Sequence, residues 1–261
     1  MRISRFLPID PDLALALQLA EAADAITMRR FRATDLVVET KPDKSPVTEA
    51  DRSVEQAIRL HLERDRPADA IVGEEFGGAI DQRAGRRWIL DPIDGTKNFL
   101  RGVPVWATLI GLEVDGVVQV GVASAPALGR RWWAARGSGA FADGRAIRVS
   151  QVSRLEDALV CFTSVRSFDE FDCGEQFRGL TTQAWSARGF SDFWGHVLVA
   201  EGTADAMLEP VLNLWDYAAV AVIVEEAGGR FSTFDGRAPA HLGSGLSTNG
   251  LLHEQVVAAM A

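Results

Sequence analysis

An α+β architecture, with helices layered on a large antiparallel sheet, is predicted by three features of the 261-residue chain. Two capped helical stretches occupy the first 64 residues. Residues 106–136 then alternate as strands do, and Asp115-Gly116 between two such runs is the strongest short hairpin signal. Beyond residue 150 short strand-like runs alternate with helical ones. Apolar faces of such elements bury themselves only by packing in layers. The polar junction Ser150-Gln151-Val152-Ser153-Arg154 divides the chain into an N-terminal α+β domain, 1–150, and a C-terminal α/β domain, 151–261.

The elements follow from local chemistry. Asp10 before Pro11 supplies a capping oxygen and a residue pre-set for a first turn, opening a helix to about Arg30. Leu36 to Glu39 alternates as a strand and leads into a polar loop, Lys41-Pro42-Asp43-Lys44-Ser45. Thr48 with Asp51 makes a capping-box-like pair that starts a second helix, to about Glu63. Ala70–Val72 is a short buried strand, residues 81–87 a polar surface loop, and Trp88–Leu90 a second buried strand. The hairpin across Asp115-Gly116 is followed by a strand at Arg131–Ala135 and another hairpin at Asp143-Gly144. Of the neighbours Trp132 and Trp133, one should pack and the other line an edge. In the second half, strands are expected at 158–162, 204–208 and 229–232, with helices at 168–179, 192–201 and 214–227. Asn249-Gly250 opens a last helix.

A net charge of −9 makes a nucleic-acid backbone or an anionic membrane an unsuitable partner. Two cysteines, Cys161 and Cys173, give neither a disulfide framework nor metal spacing, which predicts a reducing cytoplasm. Residues 1–8 show no signal-peptide apolar core, and no apolar run reaches membrane-spanning length.

The chemistry concentrates in Asp91-Pro92-Ile93-Asp94-Gly95-Thr96, where two acids leave a buried strand just before a helix start. Carboxylates offer hard oxygen ligands to divalent cations, and the first amides of a helix take an anion. Gly73-Glu74-Glu75 delivers acids from another strand end. Asp51 and Asp216 each lie in a first helical turn, where an acid is expected on dipole grounds alone. Asp192 follows Ser191 at a helix start and reads equally as a cap; Glu209 precedes Pro210 at a strand end.

Together these segments carry a resemblance. Asp91-Pro92-Ile93-Asp94-Gly95-Thr96-Lys97-Asn98-Phe99, Gly73-Glu74-Glu75, Trp215-Asp216-Tyr217-Ala218-Ala219 with Glu226-Ala227-Gly228-Gly229, and Pro46-Val47-Thr48-Glu49-Ala50-Asp51 are similar to the motifs of the inositol monophosphatase superfamily, over nearly the whole chain. The resemblance implies a layered α-β-α-β-α sandwich and a Mg²⁺-dependent phosphatase. It implies two or three Mg²⁺ held by Glu74, Asp91, Asp94, Asp216 and the carbonyl of Ile93. It makes Asp51, Glu74 and Thr96 the catalytic set that activates water, and gives phosphate to the amides of Gly95 and Thr96. Transfer would go in line to water without a phosphoenzyme. The Lys41–Ser45 loop resembles the family's catalytic loop, and a homodimer is expected by likeness alone.

Within the superfamily the chain is similar to the histidinol-phosphate phosphatase branch, on strings such as Lys41–Thr48, Gly73–Gly77, Arg101–Trp106 and Arg130–Gly137. A cationic phosphate ester would pair with acids at the pocket rim, Asp192 and Glu209, with Arg188 and Asn213 near them in sequence; Glu74, Asp94, Gly95, Thr96 and Asp216 would also touch the ester. Inositol 1-phosphate is the alternative, since carboxylates accept from hydroxyls too. Bisphosphates would need a basic cluster, and Arg130-Arg131 suits a surface or dimer contact equally. A non-catalytic relative should have lost one of these acids, and none is missing.

Overall fold

Asp10 begins the first helix as its sequence demands: its side chain accepts the amides of Asp12 and Leu13 at 2.8 and 3.2 Å, and α1 runs over Pro11–Arg30. The computed structural model describes residues 10–42, 45–78, 80, 85–239 and 242–261. Strands β1 (Val38–Thr40) and β2 (Pro46–Thr48) pair as a small antiparallel ribbon; Asp43 and Lys44 of the expected loop lie outside the described residues. The capping box forms, with Thr48 and Asp51 satisfying each other's amides at the start of α2 (Glu49–Asp65).

A seven-stranded sheet follows, in chain order from edge to edge: β3 (Ala70–Gly73), β4 (Arg86–Asp94), β5 (Ala107–Val114), β6 (Val117–Ala125), β7 (Arg130–Ala135), β8 (Gly139–Ala142) and β9 (Arg145–Ile147). Only β3 and β4 are parallel; the other pairs are antiparallel. The short helix α3 (Thr96–Leu100) interrupts between β4 and β5. The polar loop expected over 81–87 is shorter than that: 81–84 lie outside the described residues, and Arg86 and Arg87 already belong to β4. Arg87 sits opposite Glu113 on β5 and binds it at 2.7 and 3.0 Å, so a polar pair is buried in what reads as loop. Trp132 is the buried member of its pair, and Trp133 stacks on Phe141.

The second half contributes β10 (Leu159–Phe162), α4 (Val165–Glu170), α5 (Gly174–Gln183), β11 (Ser186–Arg188), α6 (Asp192–Ala200), β12 (Ala206–Asn213), α7 (Leu214–Glu226), β13 (Arg230–Ser232), β14 (Leu242–Thr248) and α8 (His253–Met260). Its five strands order as β11-β10-β12-β14-β13. The one helix expected over 168–179 is two, because Asp172 adopts φ +56° between them. Strand β14 has no counterpart in the sequence reading: its Leu-Gly-Ser-Gly start reads as loop, and only tertiary pairing with β12 and β13 makes it a strand.

The layers are α1 and α2, the seven-stranded sheet, α6 and α7, the five-stranded sheet, then α4, α5 and α8. Alternation along β4 sends Trp88 and Leu90 into the core under α1 and α2, and Ile89 into the core under α6 and α7. Helix α7 is apolar all round because both its faces are covered: Val220 and Ile223 share a core with Leu109 of one sheet and Met207 of the other. This is the layered sandwich that the resemblance implies. Among the described residues no helix is long and apolar enough to cross a membrane.

Candidate active site

Asp91 and Asp94 are three residues apart in one strand, a spacing that would normally point them to opposite faces. Their partners on β5, Leu109 and Ala107, are only two apart, so β4 carries an extra residue as a bulge. The bulge restores the parity and turns both acids to one side. Pro92 has no amide to lose from the ladder there, and its carbonyl accepts the Thr108 hydroxyl at 2.8 Å.

That side receives Asp216 from the first turn of α7. The carboxylate oxygens of Asp91, Asp94 and Asp216 lie within 4.8 Å of one another. Each is held by backbone: Asp91 accepts the Ile93 amide at 3.0 Å, Asp94 the Phe193 amide at 2.6 Å, and Asp216 the Asn213 amide at 2.7 Å. Burial, then the charges of Glu74, Asp94 and Asp216, hold the Asp91 carboxyl well above the usual carboxylate range. Burial and neighbouring acids do the same to Asp94, and push Asp216 up to about 7. One buried and two half-buried carboxylates at this spacing repel one another unless a cation lies among them. An all-oxygen donor set of this kind fits a hard divalent ion.

Gly95 follows at φ +85°, a left-handed conformation open to glycine, and lets the chain turn sharply from β4 into α3. The Thr96 hydroxyl donates to the Ile93 carbonyl at 3.0 Å and stands 3.5 Å from Asp51 Oδ1. Asp51 is buried; its other oxygen accepts the Thr48 amide at 2.8 Å, and burial raises its pKa to about 6. Glu74 sits across the cleft, where Lys41 Nζ binds it at 2.7 Å and Glu75 at 2.6 Å. Ser45, Pro46, Glu74, Gly95, Thr96, Lys97 and Asp192 line this cleft of about 160 Å³.

Asp192 thus faces the cleft. Glu209 does not stand at the rim, where the sequence reading puts it: it is 5% exposed, and burial followed by the charge of Asp192 raises its carboxyl well above the usual range. The reason is the layer of α6 over β12, whose His196 Nε2 lies 3.4 Å from Glu209 Oε1. Arg188 is exposed on edge strand β11, where it donates to the Ala187 carbonyl, and is not among the lining residues. Asn213 caps α7 rather than facing the cleft alone. Arg130 is paired with Asp143 and Glu201, and Arg131 with Asp24, so neither offers a free basic patch.

Sequence reasoning missed Glu55. It is buried one turn beyond Asp51 and accepts the amides of Glu75 and Phe76 at 2.7 and 3.2 Å, fixing the Gly73-Glu74-Glu75 turn. An acid on the apolar stripe Val54-Ile58-Leu62 was the available signal. The Phe193 amide had no sequence signal.

Clustered acids from one bulged strand end and one helix start, beside a glycine turn into a helix, are an arrangement that could hold a divalent cation next to a phosphate ester. The chain belongs to the inositol monophosphatase family, whose model matches residues 9–261. It is 54% identical over 251 residues to a histidinol-phosphatase of Mycobacterium tuberculosis, covering 94% of this chain and 96% of that protein. It is 52% identical to a histidinol-phosphatase of Streptomyces coelicolor, covering 94% and 95%. Among solved structures, an inositol monophosphatase from Zymomonas mobilis superposes with a TM-score of 0.85 at 34% identity, covering 95% of this chain and 97% of that one. The chain is therefore a phosphatase of a metal-dependent family.

Proposed function

We propose that the protein hydrolyses L-histidinol phosphate to L-histidinol and phosphate, as a Mg²⁺-dependent enzyme of histidine biosynthesis. The observation that carries the reading is the acidic wall that Asp192 makes beside Gly95 in the cleft, with Glu209 behind it. A leaving group bearing an ammonium and an imidazole is drawn to carboxylates, and the histidinol-phosphatases at 54% and 52% identity point the same way. One observation favours inositol 1-phosphate instead: the solved relative from Zymomonas mobilis is an inositol monophosphatase.

In this reading Glu74, Asp91, Asp94, Asp216 and the Ile93 carbonyl would hold two or three Mg²⁺, which would supply positive charge for the phosphate and lower the pKa of water. The residues do the rest. The amides of Gly95 and Thr96, at the start of α3, orient the phosphate oxygens. The Thr96 hydroxyl and Asp51 Oδ1 lie close enough to relay a proton from the attacking water, with Glu74 as the second acceptor. Attack is in line and direct. Asp192 at the cleft wall and, from behind it, the buried Glu209 receive the cationic leaving group. The net charge of −9 supports a small ester rather than a nucleic acid or membrane, and the free thiols Cys161 and Cys173 support a cytoplasmic enzyme. A homodimer is the expected assembly, readable by sedimentation.

Side-by-side kcat/KM for histidinol phosphate and inositol 1-phosphate with Mg²⁺ tests the reading. A preference for the inositol ester would overturn the substrate; no phosphate release from either would overturn the enzyme.

A further inference from the structure

Two buried polar atoms outside the acid cluster face each other. His196 Nε2 and Glu209 Oε1 have no hydrogen-bond partner of their own and lie 3.4 Å apart. The other ring nitrogen, Nδ1, is 2.7 Å from Ser247 Oγ. His196 and Ser247 are buried at 1% and 0% exposure. Native proteins rarely leave such groups unpaired without a reason.

The three residues come from three elements: α6, β12 and β14. His196 is four residues beyond Asp192 on α6, hence one turn along the same face. Helix α6 reaches β12 closely because Gly195 has no Cβ; one placed there would meet Met207 Sδ at 2.3 Å. The imidazole therefore spans from the helix bearing Asp192 to the strand bearing Glu209, and Ser247 fixes its far side. Closing the gap to Glu209 by about 0.5 Å makes an ordinary hydrogen bond. Ser247 then donates to Nδ1, and Nε2–H donates to the carboxylate.

We propose that His196 is a positioning residue which, tethered by Ser247, aims Glu209 toward the leaving group and so sets the preference for cationic over neutral phosphate esters. The proposal rests on the reading above, in which Asp192 and Glu209 receive that group. No other donor to Glu209 Oε1 exists among the described residues. Without the imidazole, the carboxylate is free to turn away from the cleft.

The test compares kcat and KM for histidinol phosphate and glycerol 2-phosphate, a neutral-alcohol ester, in the full-length Mg²⁺ enzyme. Variants are His196→Phe, which keeps the ring and removes the donor, His196→Gln, which returns an Nε2 donor, Ser247→Ala and Glu209→Gln. The ratio of kcat/KM, cationic over neutral, is expected to fall about tenfold in His196→Phe, chiefly through KM, and to recover in His196→Gln. A fall of about threefold is expected in Ser247→Ala, which loses only the tether. A ratio unchanged in the His196 and Ser247 variants but lowered in Glu209→Gln overturns this inference and leaves the substrate reading standing. A ratio unchanged in Glu209→Gln overturns this inference together with the part Glu209 plays in the reading above. If His196→Phe does not fold, the wild-type ratio in Ser247→Ala is sufficient to overturn the proposal.

Discussion

The amide of Phe193 donates to Asp94 Oδ2 at 2.6 Å, joining the start of α6 to the end of β4 across 99 residues of sequence. That amide is aimed by its neighbour: Asp192 holds φ +60°, a left-handed backbone that costs a non-glycine residue about 1 kcal/mol. The same turn presents the Asp192 carboxylate to the cleft. In an ordinary helix alanine is more stabilising than glycine by about 1 kcal/mol, but here the order should reverse. Urea unfolding of Asp192→Ala and Asp192→Gly reads this directly. The glycine variant should be the more stable, and the ordinary order would show that the backbone is not held in this conformation.

Asp94→Asn keeps an acceptor oxygen for Phe193 but removes a charge from the three-acid cluster. The fold should survive by circular dichroism, while phosphate release at saturating Mg²⁺ falls by about 10³-fold. Turnover within tenfold of wild type would refute the role of Asp94 as a metal ligand.

Thr96→Ala removes the hydroxyl between the Ile93 carbonyl and Asp51 but leaves the Thr96 amide. Its proposed role is in moving a proton, so kcat should fall about 10²-fold with KM nearly unchanged. A rise in KM with kcat intact would make Thr96 a binding residue instead.

Much of the fold was legible because local and tertiary signals agree. The Asp10 cap, the Thr48–Asp51 box and the Asp115-Gly116 hairpin form where the residues demand them. The signals fail where pairing partners decide. Strand β14 exists through its neighbours, and Asp172 splits a helix that its flanking apolar residues favour. In the site, the acids of the motifs were readable, but the reason Asp91 and Asp94 share a side was not. Parity depends on the bulge, and the bulge depends on β5. Glu209 was placed at a rim because a strand-end acid reads as exposed; only the layer of α6 over β12 buries it.

Lys41 bridges Glu74 and Glu75, and those contacts raise its pKa against the opposing effect of burial. Glu74 must give up this ammonium to take a metal ion. Lys41→Met should therefore lower the Mg²⁺ concentration for half-maximal activity, by about threefold given the worth of a part-exposed ion pair. A higher Mg²⁺ requirement would mean that the ammonium assists metal binding rather than competing with it.

Metal removal should make stability depend on pH in an unusual direction. In the metal-free chain burial and mutual repulsion raise Asp91 and Asp94 well above the carboxylate range, Asp216 to about 7 and, chiefly by burial, Asp51 to about 6. The folded state then holds more protons than the unfolded one at neutral pH, so stability is lost as pH rises through these folded values and regained as it falls toward about 4. His196 and His253 oppose this: burial lowers both, His196 to about 3, so their contribution weakens as pH falls below about 6.5. Four carboxylates outweigh two imidazoles. After chelation the Tm should be higher at pH 6 than at pH 8, and saturating Mg²⁺ should raise it more at pH 8, where the cluster is charged. A chelated protein that is more stable at pH 8 would mean that the acids are not brought together as described.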